Sequence, residues 1–294
     1  MIVQIIWTSI AASTYSILFA VAFALVLKVT KIWNFAQPAL MTIAFYSMYW
    51  AASRLSLSLP LAFCAGLIPT VLAGWALERY AFDTLRRRNT GGFTFFIFTL
   101  IFSEFVSYLF TLLFGTEPFT ILPNVVSPVV LWGGIVVSYW DLRSLAASAV
   151  LLAGVYLLLR RSKAGRELIA VSTNERLAEL YGISSRQSYR LSLILAAVLC
   201  AAGMAILGTR IAVHPHLGFS LILFSVAATV LGGIGNVLGA ALAAFFLSLL
   251  QGLSGLILPS RWQNLLFFLF LFLIIILMPR GFGSFAGFAR GRKA

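Results

Sequence analysis

A single carboxylate, Glu104, stands in the apolar run Thr99-Leu100-Ile101-Phe102-Ser103-Glu104. In hydrocarbon such a group costs at least about 2.5 to 3.5 kcal/mol on insertion scales, so it must face a cavity, a partner or water, or carry a proton. A neutral acid hydrogen-bonded to a neighbouring helix would also meet that requirement. Two further apolar stretches are interrupted by polar or helix-breaking residues, Trp33-Asn34-Phe35-Ala36-Gln37-Pro38 and Leu231-Gly232-Gly233-Ile234-Gly235-Asn236. Breaks in the two halves of a membrane chain point to discontinuous helices, whose free backbone groups and half-helix ends bind solute. The candidate solute path is therefore Asn34, Gln37, Thr99, Ser103, Glu104, Gly232, Gly233, Gly235 and Asn236. Packing roles stay open. Asn34 and Gln37 can cap a helix that has Pro38 in its first turn, and the glycines can let helices approach closely.

The longest hydrophilic stretch runs from Arg160 to Arg190. Within it Arg166 to Ser172 suits a short helix, Asn174 can cap a second, and Gly182 can end that one in a left-handed conformation. Ser184 with Gln187 forms a capping-box pattern leading into the next apolar run. Two short capped helices make a compact module. With Glu167, Glu175 and Glu179 beside Arg166 and Arg176, it could dock in a groove of a soluble partner, or be a solvated loop.

Enzymatic chemistry finds no support. His214 and His216 flank Pro215 with no Cys or carboxylate nearby in the sequence, a weak metal-binding signal. No Ser/His/Asp grouping, nucleotide-binding glycine loop or zinc motif appears, so neither catalytic residues nor a metal site are expected. Cys64 and Cys200, far apart in apolar stretches, read as small buried hydrophobes.

The elements that must position these residues follow from composition. Of 294 residues, 61% are hydrophobic and only 10% charged, against about 25% charged in soluble domains. A membrane-crossing helix needs about 20 apolar residues, and the runs show no period-2 alternation, which excludes a barrel. The expected fold is all-α: a polytopic transmembrane helical bundle with broken helices and two weakly repeated halves. Spans are expected near 3–27, 38–53, 60–78, 92–114, 144–159, 190–209, 218–254 and 263–279, the seventh split in two by its glycine cluster, for nine crossings. The segment 115–143 reads as an outside loop, apolar enough to re-enter the membrane. The first apolar segment lacks a basic leader and is expected to be retained. An outside N-terminus puts 28–37, 79–91, 160–190 and the basic tail with Arg290, Arg292 and Lys293 in the cytoplasm, leaving Arg54, Arg143, Arg210 and Arg261 outside. That satisfies the positive-inside bias and makes the net charge of +13 a signal of orientation and anionic lipid rather than nucleic acid.

Three stretches and a terminal motif resemble a known family, the permease subunits of ABC importers of the branched-chain amino acid type, related to ribose-type sugar permeases. Asn34-Phe35-Ala36-Gln37 is similar to its N-F-A-H/Q signature. Gly165-Arg166-Glu167 through Asn174-Glu175-Arg176-Leu177-Ala178 to Gly182-Ile183 is similar to its cytoplasmic coupling segment. Val230 to Ala240 resembles its V-L-G-G-I-G-S-x-x-G-A run, and Met278-Pro279-Arg280-Gly281 its R/M-P-x-G ending. Pro38, Asn236 and Glu104 depart from the family pattern of glycine, serine and an aliphatic residue.

The resemblance implies one transmembrane permease domain over 1–294, with a coupling segment at 160–190 acting through Gly165, Arg166, Glu167, Asn174, Glu175, Leu177, Ala178, Gly182 and Ile183. It also implies a multi-pass protein of the bacterial inner membrane with a cytoplasmic C-terminus, moving a small polar solute, foremost a branched-chain or other amino acid, into the cell. Implied partners are two cytoplasmic ATPases, a second permease subunit (homologue or self), a periplasmic solute-binding protein and membrane lipid. This chain would bind no cofactor, with ATP and Mg held on the ATPases. The residues alone leave open an ion-coupled secondary transporter in which Glu104 carries a proton.

Overall fold

The computed structural model describes residues 2–121, 128–131, 135–255, 269 and 272. The helices are α1 (Ile2–Thr30), α2 (Gln37–Arg54), α3 (Leu59–Ala76), α4 (Asp83–Arg87), α5 (Gly92–Phe114), α6 (Tyr139–Arg161), α7 (Lys163–Thr173), α8 (Glu175–Leu180), α9 (Ser185–Gly208), α10 (Leu217–Gly232) and α11 (Val237–Ser254). A π-helical turn, Leu77–Phe82, joins α3 to α4. Among the described residues six apolar helices are long enough to cross a membrane: α1, α3 continued through α4, α5, α6, α9 and α11. The expected helical bundle is present. Apart from residues 269 and 272, the expected last span at 263–279 lies outside the described residues, as do the Met278–Gly281 motif, Arg261 and the basic tail.

α1 is the centre. From Leu18 to Leu27 every side chain is at most 4% exposed, as expected of a helix apolar on all sides. It packs against α9, α10 and α11, and α2 and α3 close the bundle against α9. The peripheral helices turn large apolar side chains outward, among them Ile68 and Leu72 of α3, Ile101 and Leu112 of α5, and Val150 and Leu157 of α6. Cys200 is buried as expected, but Cys64 is exposed, because it lies on the outer side of α3.

Two of the expected crossings are partial. After α1, Lys31 adopts φ +58° and the chain doubles back beside the helix it has just left. By Gln37, where α2 begins, it has climbed to the level of Phe19, whose carbonyl accepts a 3.0 Å bond from Gln37 Nε2. The second half repeats this from the opposite face. After α9, residues 209–216 run inward and α10 starts against α2, where a Cβ on Gly218 would lie 2.9 Å from Pro38 Cβ. Thr42 Oγ1 donates to the Pro38 and Pro215 carbonyls, at 3.0 and 3.3 Å. At 1.5 Å per residue the 16 residues of α10 cover about 24 Å, less than the roughly 30 Å of a hydrocarbon core. α2 and α10 thus start near mid-depth and leave in opposite directions, where the sequence suggested full crossings.

The described residues of 115–143 carry a β-bridge and a pair of short antiparallel strands. Phe119 and Val213 exchange backbone bonds at 3.0 and 2.8 Å, and β1 (Pro128–Leu131) pairs antiparallel with β2 (Ile135–Ser138). Gln4 bonds the Val136 amide and carbonyl at 2.9 and 3.0 Å. α6 then starts at Tyr139, five residues before the expected 144, because Ser138 Oγ accepts from the Trp140 amide at 3.2 Å. Arg210 and Asp141 pair at 2.9 Å across this surface.

Candidate functional site

The hydrophilic stretch folds as two capped helices. Ser162 Oγ accepts from the Gly165 amide at 2.8 Å and starts α7 immediately after α6 ends. Asn174 Oδ1 accepts from the Leu177 amide at 3.1 Å and starts α8. Gly182, at φ +77°, ends it, with the Ile183 amide bonding the Ala178 carbonyl at 3.0 Å. Ser184 occupies the N-cap position of α9, but its side chain makes no cap bond, so the capping box with Gln187 does not form.

Leu168, Val171 and Ala178 pack with Leu25 and Val29 of α1 and Tyr189 of α9. The module is thereby seated on the inner end of the central helix. Gly165 belongs to this seat: a Cβ there would lie 2.0 Å from the Leu158 carbonyl oxygen. Gly165 and Ala178 are thus packing residues, Ile183 is half-buried, and Glu167 is partly covered. Arg166 bonds the Arg161 carbonyl at 3.1 Å, and the charged residues of the module form no ion pairs with one another among the described residues. Among its exposed charged residues, Arg166, Glu175, Arg176 and Glu179, the module also offers apolar side chains outward: Leu177 is 50% exposed, Leu180 84% and Tyr181 80%. Leu180 and Tyr181 were not singled out in the sequence, although an apolar pair before a terminating glycine is a usable signal.

A second connection runs from the module to α3. Glu78, 2% exposed in the π-helical turn, pairs with Arg86 of α4. The Arg86 guanidinium lies 4.0 Å from the centroid of the Tyr189 ring, and Glu175 of α8 interacts electrostatically with the Tyr189 hydroxyl. Asp83 holds Arg87 at 3.0 Å and Arg186 of α9 at 3.3 Å. In the sequence Arg86, Arg87 and Arg88 marked orientation only. In the fold Arg86 links the coupling module to the inner end of α3.

Eight of the nine expected solute-path residues separate into two places, and Glu104 lies apart from both. Asn34, Gln37, Thr99 and Ser103 are buried near the start of α2. Thr99 Oγ1 accepts from the Phe35 amide at 3.2 Å and Asn34 Oδ1 from the Ala36 amide at 3.0 Å, so these side chains hold the broken segment in place. Gly232, Gly233, Gly235 and Asn236 lie instead beside α7, at the tight turn between α10 and α11. Gly233 and Gly235 have φ of +93° and +88°. A Cβ on Gly232 would lie 2.2 Å from the Gly239 backbone, and Asn236 caps α11 through the Gly239 amide at 3.1 Å. Asn236, Val237 and Leu238 border a cavity of about 140 Å³ with Lys28, Arg160 and Ser172. The second-half counterpart of the Trp33–Pro38 break is therefore 209–216, a polar loop whose inward course has no sequence signature.

Glu104 lies near the midpoint of α5 with its side chain 43% exposed, 3.8 Å from Nδ1 of His216. The carboxylate that His216 lacked in sequence is supplied by the fold. Among the described residues no group of three or more metal-ligating side chains forms.

Comparison with known proteins bears on the whole bundle. A sequence model described as "Branched-chain amino acid transport system / permease component" matches residues 5–277. The chain belongs to that family. It is 27% identical over 282 residues to the high-affinity branched-chain amino acid transport system permease protein BraD of Pseudomonas aeruginosa, covering 92% of this chain and 91% of BraD. It is 24% identical over 290 residues to the corresponding protein LivH of Escherichia coli K12, covering 92% and 91%. The autoinducer 2 import system permease protein LsrC of Klebsiella pneumoniae is 34% identical over 140 residues, covering 45% of this chain and 40% of LsrC. No solved structure matches the chain. Family and fold together make this a multi-pass inner-membrane permease component of an ABC importer, which works with ATPase and solute-binding partners and is not itself the enzyme.

Proposed function

We propose that the chain forms one half of the membrane channel of an importer that brings an amino acid into the cytoplasm, and that two ATPases drive it by moving α7 and α8. The observation that carries this is the coupling module. Its outer tip is an exposed apolar patch of Leu177, Leu180 and Tyr181, and its inner face is locked onto α1 and α9. An apolar patch on a rigid support fits a pocket in a soluble partner. A push on α8 passes through Leu168, Val171 and Ala178 into α1, the helix around which the bundle is built. Hinged motion of packed helices then changes which side the central path opens to.

On this reading the path runs past the buried break at Asn34 and Gln37. ATP and Mg are held on the ATPases, a second permease subunit completes the channel, and a periplasmic binding protein delivers solute. The whole chain acts as one domain with its C-terminus in the cytoplasm. BraD and LivH are named for branched-chain amino acid transport, which supports an amino acid here. The test is a site-specific cross-link from Leu180→Cys in the assembled complex. A product with an ATPase subunit is expected, and cross-linking only to lipid or solvent probes would overturn the assignment.

A further inference from the structure

The coupling module leaves Glu104 and His216 unexplained. α5 carries no other charged residue between Gly92 and Phe114, and its outer face is otherwise apolar, with Ile97, Ile101, Phe105 and Leu112 all exposed. Yet at the middle of this face two ionisable side chains are each about two-fifths open, 43% for Glu104 and 38% for His216. Lipid would penalise that pair at such depth.

The pair is also incomplete. At 3.8 Å the carboxylate and Nδ1 attract but are too far apart to hydrogen-bond. The imidazole is held by other groups: Nε2 is 3.4 Å from Thr111 Oγ1, and its ring meets Tyr108 edge-on at 5.0 Å. Among the described residues Glu104 accepts no hydrogen bond, and no Lys or Arg pairs with it. Among the described residues that leaves a carboxylate with free acceptor capacity one helical turn from an exposed aromatic ring, Tyr108 at 61%.

We propose that Glu104, Tyr108 and His216 form a recognition point for an ammonium group on the transported solute, on a face of α5 that lies across a hydrated seam from the second permease subunit. The inference rests on the importer reading and names what its path selects. An ammonium brings three donors to the carboxylate and can rest against the Tyr108 ring. An anion would be repelled, and a solute without the amine would leave the carboxylate unsatisfied. His216 is the internal neighbour that gives way when solute arrives.

The test uses the assembled complex, with Ile101→Cys one turn from Glu104 and Cys64→Ala to remove the exposed native thiol; Cys200 is fully buried. Labelling rates are compared for a trimethylammonium and a sulfonate methanethiosulfonate. Both should react, and Glu104→Gln should lower the cation-to-anion rate ratio about tenfold, the low end of focusing by a charged cleft. An unchanged ratio overturns cation recognition. No reaction with either reagent, alongside reaction with a lipid-soluble maleimide, overturns the hydrated seam. ATPase copurification is scored on the same preparation. ATPase present with an unchanged ratio sinks this proposal alone, whereas ATPase absent sinks the importer reading whatever the labelling shows.

Discussion

Gly165→Ala is the substitution whose effect can be worked most fully. The added Cβ would lie 2.0 Å from the Leu158 oxygen and 2.6 Å from Leu159 Cα. Both are backbone atoms of α6, and a helix end cannot rotate out of the way as a side chain would. Restoring ordinary contact at 3.4 Å requires α7 to move about 1.4 Å off α6, or the last turn of α6 to unwind. Overpacking of this kind costs about 1 to 3 kcal/mol. The displacement falls on the element that carries Leu168 and Val171 onto α1, so force transfer should fail before the fold does. In proteoliposomes containing the whole importer, ATP hydrolysis should persist while solute moved per ATP falls several-fold. Gly154→Ala is the control: it lies on α6 with nothing within 4 Å of a built Cβ and should leave both rates alone. A Gly165→Ala complex with the wild-type transport-to-hydrolysis ratio would show that the contact between α6 and α7 carries no force.

Other substitutions probe separate parts. Arg86→Met leaves Glu78 buried without its partner, a loss of about 3 to 5 kcal/mol visible as a lowered melting temperature of the purified permease; adding Glu78→Leu should recover most of it, and no recovery would place the defect elsewhere. Asn174→Ala removes the cap of α8 at a cost of about 1 kcal/mol, so proteolysis should cut faster between 174 and 182. Gly239→Ala meets the Gly232 carbonyl oxygen at 2.0 Å, which should separate α10 from α11 and reduce the yield of folded protein; normal yield would show that this turn adapts. Leu180→Asp should abolish ATPase copurification while leaving the melting temperature of the permease unchanged.

What the sequence discloses, and what it hides, has physical causes. Long apolar helices are set by local composition, so α1 and α5 are close to their expected bounds, while α9 begins five residues before the expected 190 because polar residues from Ser185 extend its first turn. Caps are local too, which is why Asn174 and Gly182 take the roles their residue types suggest. Ser184 does not, because a motif states only that a bond can form. Contacts between residues distant in the chain are absent from any local pattern. Glu104 meets His216 only because 209–216 turns inward, and Arg86 meets Tyr189 only because a π-helical turn carries α3 on into α4. The glycine cluster was legible as a break, but its place beside α7 depends on how α10 and α11 pack against α1. Cys64 lies in an apolar run on a helix whose outer side faces away from the bundle, and a run says nothing about which side is covered.

The most direct measurement is solute uptake into vesicles containing the permease with and without its ATPases. Accumulation that requires both ATP and the ATPases, and that is lost in Leu180→Asp, is predicted. Accumulation by the permease alone under a proton gradient, abolished by Glu104→Gln and indifferent to ATP, would contradict the account.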